Sequence, residues 1–560
     1  MISLSRCVVW LAFLSFVSCG ETANQTAVSA EQSLAHRAGA PLFDGMGSFH
    51  MPITTSDVDA QRYFDQGMVL AFGFNHAESI RSFRAAQKLD PSCAMCFWGE
   101  ALATGPNINV TSNGKAIMAP AERLSARAAT DKALQLLGSV TAKERDWILA
   151  LDQRYDGKAD TAREPLDRAW ANALAVMAER YPDDSTVASV YAEALMNTMP
   201  WDYWGPNGEA KPDTQAVIAN LERVIEADPE HPLALHLYIH ALEASSSAVK
   251  AERAADLLAD LVPGSGHLVH MPSHIYFRVG RYQDSALANI RAAEVDEAYI
   301  AQCNAQGFYP ALYYPHNIHF LWASATMQGQ SQLSLDSARR VVANVRIEQV
   351  EQFPTIQFFR TVPILSMVRF ARWEELLVEP EPHAPFAFAR AIWHYGRGVA
   401  LAATHRTDDA MKELAAITAL EPSVDEIFMG NVYPAKDLLS IAKALLLGEV
   451  AYRQGDAIQA ITRFTEAVAL QDALPYTEPP FWYYPTRQSL GAALLAAGRA
   501  AEARQVFEDD LQQYPMNGWS MFGLAQAMME EGDLSAAGEV LEKFERVWQF
   551  ADVELTTSIL

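Results

Sequence analysis

Positive charge, cysteine and long apolar runs are all scarce in this sequence, and each shortage removes a class of protein. Its 43 Lys and Arg stand against 68 Asp and Glu, a formal net charge of -25. A surface of that average sign repels phosphate polyanions, so nucleic-acid binding is not expected. Five cysteines in 560 residues are too few to staple a disulfide-built fold. Beyond the first twenty positions no stretch approaches the roughly 20 apolar residues of a membrane helix. There is no Gly-rich phosphate loop, dinucleotide fingerprint or Gly-x-Ser-x-Gly elbow, which leaves nucleotide and serine-hydrolase chemistry without support. A c-type haem site needs His directly after Cys-x-x-Cys; Phe97 holds that place behind Cys93 and Cys96, and haem attachment is excluded.

What remains is a globular composition, 50% hydrophobic, 20% charged and 10% aromatic, which excludes a wholly disordered or collagen-like chain. The length exceeds the needs of one small core and calls for several domains or an extended repeat array. Residues 1–19 read as an export signal: Arg6 supplies a positive end, and Cys7 to Val17 form an apolar run too short to span a bilayer. Phe16-Val17-Ser18-Cys19 resembles the lipobox of bacterial lipoproteins, in which the cysteine is acylated. Acylation at Cys19 and plain secretion both stay open. Either places the mature chain outside the cytoplasm, periplasmic or outer-membrane-associated, with a lipid anchor as its sole membrane contact and residues 20–55 as a linker.

Along the rest, Ala- and Leu-rich amphipathic segments end at Gly or at Asp-Pro and Glu-Pro pairs, the pattern of an all-α chain. Gly455-Asp456 is followed by Ala460, Phe464 and Ala467, and Gly498-Arg499 by Ala503, Phe507 and Pro515. Tyr63, Gly67, Leu70, Phe83, Ala86 and Pro91 repeat the phrase near the N-terminus, while Gly280-Arg281-Tyr282 and Gly532-Asp533 mark further copies. These offsets resemble the tetratricopeptide repeat (TPR), a helix-turn-helix unit of about 34 residues. The resemblance implies a TPR-like α-solenoid, a right-handed superhelix with the first helix of each pair on the concave side. It divides the chain into a degenerate N-terminal segment (56–230), a His-rich centre (231–345) and C-terminal repeats (346–560).

Half of the fourteen histidines fall between residues 236 and 319. Anchored on Pro263, Gly280 and Gly329, three successive repeats start at Pro232, Gly266 and Pro315. His236 and His240 then occupy repeat positions 5 and 9, His267, His270 and His274 positions 2, 5 and 9, and His316 and His319 positions 2 and 5. Residues three and four apart share one face of a helix, so seven imidazoles from three adjacent helices are expected to converge on the groove. Imidazole suits zinc, copper, iron and nickel. With Glu243 as the one evident acid nearby, a carboxylate-rich di-iron site or a hard-cation site is disfavoured. Copper or zinc comes first, then iron, and seven nitrogens suit two ions or one ion with supporting histidines. A pH-sensitive peptide groove and a hydrogen-bonded structural cluster are the alternatives. Pro272, between His270 and His274, requires that this helix start near His270 or kink there.

Further candidates are His50, His76 and the pair Cys93 and Cys96, which can form a local disulfide or a metal or redox thiol pair. Trp201, Tyr203 and Trp204 can cover the groove as a lid. His383, His394 and His405 lack the shared face and are read as structural. The phrases Phe74-Asn75-His76-Ala77-Glu78, Cys93-Ala94-Met95-Cys96-Phe97-Trp98-Gly99, His267-Leu268-Val269-His270-Met271-Pro272-Ser273-His274, Tyr314-Pro315-His316-Asn317 and Asn517-Gly518-Trp519 look like those of exported bacterial TPR proteins; that resemblance implies fold and export, and no activity. Two functions are therefore carried forward: a TPR protein binding a transition metal, with catalysis on a small-molecule substrate left open, and a non-catalytic scaffold holding a peptide or protein partner in its groove.

Overall fold

A computed structural model of the chain describes residues 31–112, 115–205, 208–305, 307–352, 354–428 and 433–560. The export signal, Cys19 and the first part of the linker lie outside the described residues. The fold is all-α and TPR-like: helices pack in antiparallel pairs against their sequence neighbours. Among the described residues β-structure amounts to Thr111–Ser112 paired with Lys115–Ala116 and one bridge between Trp204 and Ala210. No described helix is long and apolar enough to cross a membrane.

The first pair, α1 (Val58–Phe72) and α2 (His76–Leu89), shows how the sequence builds the unit. Asp57 caps α1 by accepting from the Asp59 and Ala60 amides, and Asn75 caps α2 by accepting from the Glu78 amide. Phe83 of α2 lies between Gly67 of α1 and Gly99 of α3 (Ala94–Thr104), where an added Cβ would come within 2.8 and 2.3 Å of its ring. Only glycine admits the phenyl at both contacts. Phe507 sits in the same way between Gly491 and Gly523, so one packing device recurs more than 400 residues later. The turn glycines singled out above, Gly280, Gly455, Gly498 and Gly532, all have positive φ, between 70° and 85°.

The central helices are α4 (Pro232–Glu243), α5 (Gly266–His270), α6 (Pro272–Arg278), α7 (Tyr282–Cys303) and α8 (Tyr314–Met327). One apolar core runs from Leu34 to Tyr313 and a second from Phe277 to Ala537, and they meet in this central segment. The C-terminal repeats return to it: Trp519 Nε1 donates to the Thr326 carbonyl at 3.2 Å, and the Asp552 carboxylate accepts from the Ser331 and Gln332 amides at 2.6 and 3.0 Å. The histidine segment is thereby enclosed from both sides at the seam of the two cores.

Candidate metal centre

Helix α4 is buried along its whole length, from Pro232 to Glu243. His231 caps it, its Nδ1 accepting from the Ala234 amide at 3.3 Å. His236 and His240 lie one turn apart on its inner face, with Glu243 just beyond. On the next strand of chain Pro272 divides α5 from α6, the kink its missing N–H requires, yet Met271 keeps helical dihedrals. His267 therefore sits within α5, and His270 and His274 stay on one side. Pro315 occupies the first turn of α8, immediately before His316.

Six imidazoles come together in two sets. His236, His240 and His267 form one and His270, His274 and His316 the other; within each, the ligand atoms all lie within 4.8 Å of one another. The hydrogen bonds settle which nitrogens face inward. His236 Nδ1 donates to the Phe72 carbonyl, His240 and His274 Nδ1 to opposite oxygens of Glu243, and His270 Nδ1 to Asn289 Oδ1, each at 2.6 Å. All four rings are left with Nε2 lone pairs. In the second set those atoms face each other: His270 Nε2 is 2.8 Å from His274 Nε2 and 3.2 Å from His316 Nε2. Two ligands on a tetrahedral ion at 2.0–2.1 Å stand about 3.3 Å apart. In the first set His236 Nε2, His240 Nε2 and both nitrogens of His267 are buried without a protein partner, a burden of about 1–3 kcal/mol per atom unless a ligand or water meets them.

Electrostatics keep most of these rings neutral. Burial, reinforced by the neighbouring imidazoles, holds His236, His267, His270 and His316 well below the ordinary histidine range. Burial also lowers His240, although Glu243 opposes it. At His274 burial lowers the pKa but the Glu243 charge outweighs it, and the net direction is up. Glu243, despite burial, is held well below the carboxylate range by His274 and His240. The facing Nε2 atoms of His270 and His274 thus require a cation between them, either a proton on His274 or a metal ion.

Aromatic rings wall the centre. Phe74 lies 4.5 Å from His236 and 5.4 Å from His267, Trp201 meets His240 edge-on at 5.2 Å, Tyr313 meets His267 at 4.8 Å, and Phe320 packs 5.0 Å from His274. A second network fixes α5: Tyr309 accepts from the His267 amide at 3.1 Å and donates to Asp296 at 2.9 Å, and Asn317 donates to Asp296 at 2.8 Å. Tyr476, from the segment between α9 (Ala457–Asp472) and α10 (Arg487–Ala496), donates to Glu243 at 3.3 Å. Sequence reading missed Asn289, Asp296, Phe74 and Tyr476. Asn289 and Asp296 left one signal, polar residues on the inward face of α7; Tyr476 left none.

Several sequence expectations need correction. His319 is not with the other six: it stacks on Trp322 at 5.0 Å and meets Phe359 at 5.4 Å, and burial pushes its pKa down to about 3. The register put it on the right face, but one turn further along α8 that face meets the Phe358–Phe359 segment. Glu243, by contrast, joins the cluster: its two oxygens accept from the Nδ1 atoms of His240 and His274 at 2.6 Å, and it lies within ligand range of both rings. His50 is at the surface, paired with Asp65 at 2.8 Å. His76 lies behind Phe74, with ring centres 6.3 Å apart. Cys93 and Cys96 are joined in a disulfide, so neither sulfur is a thiolate ligand.

Residues 494–544 match the family model for the tetratricopeptide repeat. Among solved structures the chain is similar to the APC/C hetero-tetramer Cut9–Hcn1, at 13% identity and TM-score 0.30, covering 93% of this chain and 78% of that one. It is also similar to the human IFIT1 dimer with m7Gppp-AAAA, at 12% identity and TM-score 0.31, covering 88% and 91%. For yeast Tom70 the identity is 12%, the TM-score 0.26 and the coverage 87% and 92%. These superpositions are loose, and the fold assignment rests on this chain's own helices and the matched repeat. No curated protein matches the chain.

Proposed function

We propose that this chain binds transition-metal ions, copper or zinc before iron, at two adjacent three-histidine sites, His236–His240–His267 and His270–His274–His316. The observation that carries the reading is the set of buried Nε2 lone pairs turned towards one another after the Nδ1 hydrogens have been committed elsewhere. Carboxylate, amide and carbonyl partners on the outer nitrogen are the usual means of aiming histidine ligands. An ion so held supplies Lewis acidity, water activation or oxygen handling; the chain's residues aim it, dry its surroundings and leave the reaction itself unassigned. Export, with Cys19 as lipid anchor, belongs to the same proposal and is supported by the N-terminal sequence pattern and by the Cys93–Cys96 disulfide, which suits an oxidising compartment.

The competing reading is a scaffold that holds a peptide or protein partner, supported by the TPR-like fold alone. Metal analysis of protein made without a histidine tag separates the two. About two copper, zinc or iron ions per chain supports the metal centre; none after supplementation with each of them overturns it and leaves the scaffold.

A further inference from the structure

The two histidine sets differ in how they are closed. In the second set the Nε2 atoms already contact one another, whereas in the first all three rings present unpartnered nitrogens and are no more than 2% exposed. What covers the first set is a roof of three residues from separate parts of the chain. Trp201 leans edge-on against His240 at 5.2 Å and donates its indole N–H to Asn109 Oδ1 at 3.1 Å. Asn109 in turn donates to the Tyr313 hydroxyl at 3.2 Å, and the Tyr313 ring meets His267 edge-on at 4.8 Å. The roof therefore spans from His240 to His267 with Asn109 as its middle.

With Asn109 half-buried and Tyr313 buried, Trp201 is also where this roof is most exposed to solvent. Its side chain is 42% exposed, and its backbone is left-handed, φ 62°, a conformation that bulky residues rarely adopt. The turn Met199-Pro200-Trp201-Asp202, closed by the Asp202 amide on the Met199 carbonyl at 3.0 Å, sets that conformation, while the indole hydrogen bond and the packing on His240 hold the ring inward. Phe308, 51% exposed, lies edge-on against Tyr313 at 5.8 Å. Trp201, Asn109, Tyr313 and Phe308 carry no formal charge.

We infer that an external ligand reaches the His236–His240–His267 site by passing Trp201, and that the roof admits only small unidentate molecules of two or three heavy atoms, neutral or singly anionic, of the size of dioxygen or azide. The size limit follows from burial: with the three rings enclosed by Phe74, Trp201 and Tyr313, a ligand occupies little more than the open coordination position. The lack of charge in the roof gives no anchor for a polyanion or a cationic substrate. In the second set His270 Nε2 already touches the Nε2 atoms of His274 and His316, which leaves less room there for an added ligand. This inference rests on the metal reading above and adds the direction of access and the ligand class.

The test uses the full chain loaded with Cu(II), its copper content measured first, with azide as small probe and benzoate as bulky anionic probe, followed by the change in the copper spectrum. The wild type should take up azide and exclude benzoate. Trp201→Ala and Asn109→Ala should take up azide about tenfold faster, the scale of one lost hydrogen bond, and admit benzoate, with copper content unchanged. Equal azide rates in the wild type and both variants, or benzoate entering the wild type as readily as azide, overturns the inference while retained copper leaves the metal reading standing. A chain that holds no copper overturns the inference, and one that holds none of copper, zinc or iron overturns the metal reading as well. Trp201→Phe, which keeps the ring without the N–H, should fall between the wild type and Trp201→Ala; a Phe variant faster than the Ala variant also counts against the roof.

Discussion

The Nε2 atoms of His270 and His274 stand 2.8 Å apart although each ring has already given its Nδ1 hydrogen away, to Asn289 and to Glu243. Two lone pairs at that distance repel unless a cation lies between them, and the surrounding protein keeps them there. Asn289 of α7 and Glu243 of α4 pull the two rings from opposite sides, so the contact is imposed by helices far apart in sequence. Glu243 repeats the device on His240, which makes one carboxylate the common support of both histidine sets.

Glu243→Gln should separate aim from ligation. The amide has nearly the same shape but one acceptor oxygen, so it can hold the Nδ1 hydrogen of His240 or His274 and not both. Loss of such a supporting carboxylate typically weakens metal affinity about 10- to 100-fold. Competition with a chelator should show that loss while circular dichroism stays at the wild-type helical level; unchanged affinity would remove Glu243 from the orienting role.

Each histidine set should lose its ion alone. His236→Ala or His267→Ala removes a ligand from the first set, and His316→Ala, at the partly exposed edge of the second, from the other. Elemental analysis should fall from about two ions per chain to about one in each variant, the expectation for two three-ligand sites, and combining His267→Ala with His316→Ala should abolish retention. His319→Ala should leave both ions in place, since its ring is engaged with Trp322 and Phe359. A metal content insensitive to His267 and His316 would place the ions elsewhere.

The repeat glycines and the inward histidines were legible because both obey local spacing. Gly280, Gly498 and Gly532 mark turns, and His236 with His240, or His270 with His274, share a face by being four apart. What spacing cannot reveal is which neighbour a face meets. His319 shares the register of His316, yet one turn along α8 the adjoining surface is Phe358 and Phe359. Phe72 supplies the carbonyl for His236 across 164 residues and Tyr476 reaches Glu243 across 233; such contacts are made by the closure of the superhelix and leave no local signature. The Cys93–Cys96 spacing allowed a thiolate pair and a disulfide alike, and the start of α3 brings the two sulfurs into a bond.

Outside the centre, His231 gives a pH signature of its own. Burial among Phe49 and Phe72 pushes its pKa down to about 4. The unfolded chain takes up this proton near 6.5 while the folded chain resists until about 4, so the contribution is present in full above 6.5 and drains away as pH falls towards 4. At about 1.4 kcal/mol per pH unit, that gap corresponds to about 3 kcal/mol. His231→Asn keeps a capping acceptor for α4 and cannot take up the proton. Its melting temperature, compared with wild type at pH 7.5 and pH 4.5, should fall less steeply on acidification. Parallel declines would show that His231 is not a source of the acid lability.

The last prediction concerns a residue with no side chain. Gly266 opens α5 directly before His267, and a Cβ there would stand 2.0 Å from Asp296 Oδ1. Asp296 cannot swing aside: it is 1% exposed and held by the Tyr309 hydroxyl at 2.9 Å and the Asn317 amide at 2.8 Å. In Gly266→Ala the backbone of α5 must therefore move, and with it the His267 amide that Tyr309 now receives at 3.1 Å. Overpacking of this sort costs about 1–3 kcal/mol, which calorimetry should register as a lower melting temperature. The displacement falls hardest on the first set, because His267 directly follows the altered residue, whereas in the second set His270 alone rides on α5, with its Nδ1 tied to Asn289 of α7, and His274 and His316 are carried by α6 and α8. Metal titration should accordingly show one site weakened more than the other. Equal weakening of both would mean that the two sets move as one body and that Glu243 transmits the shift between them.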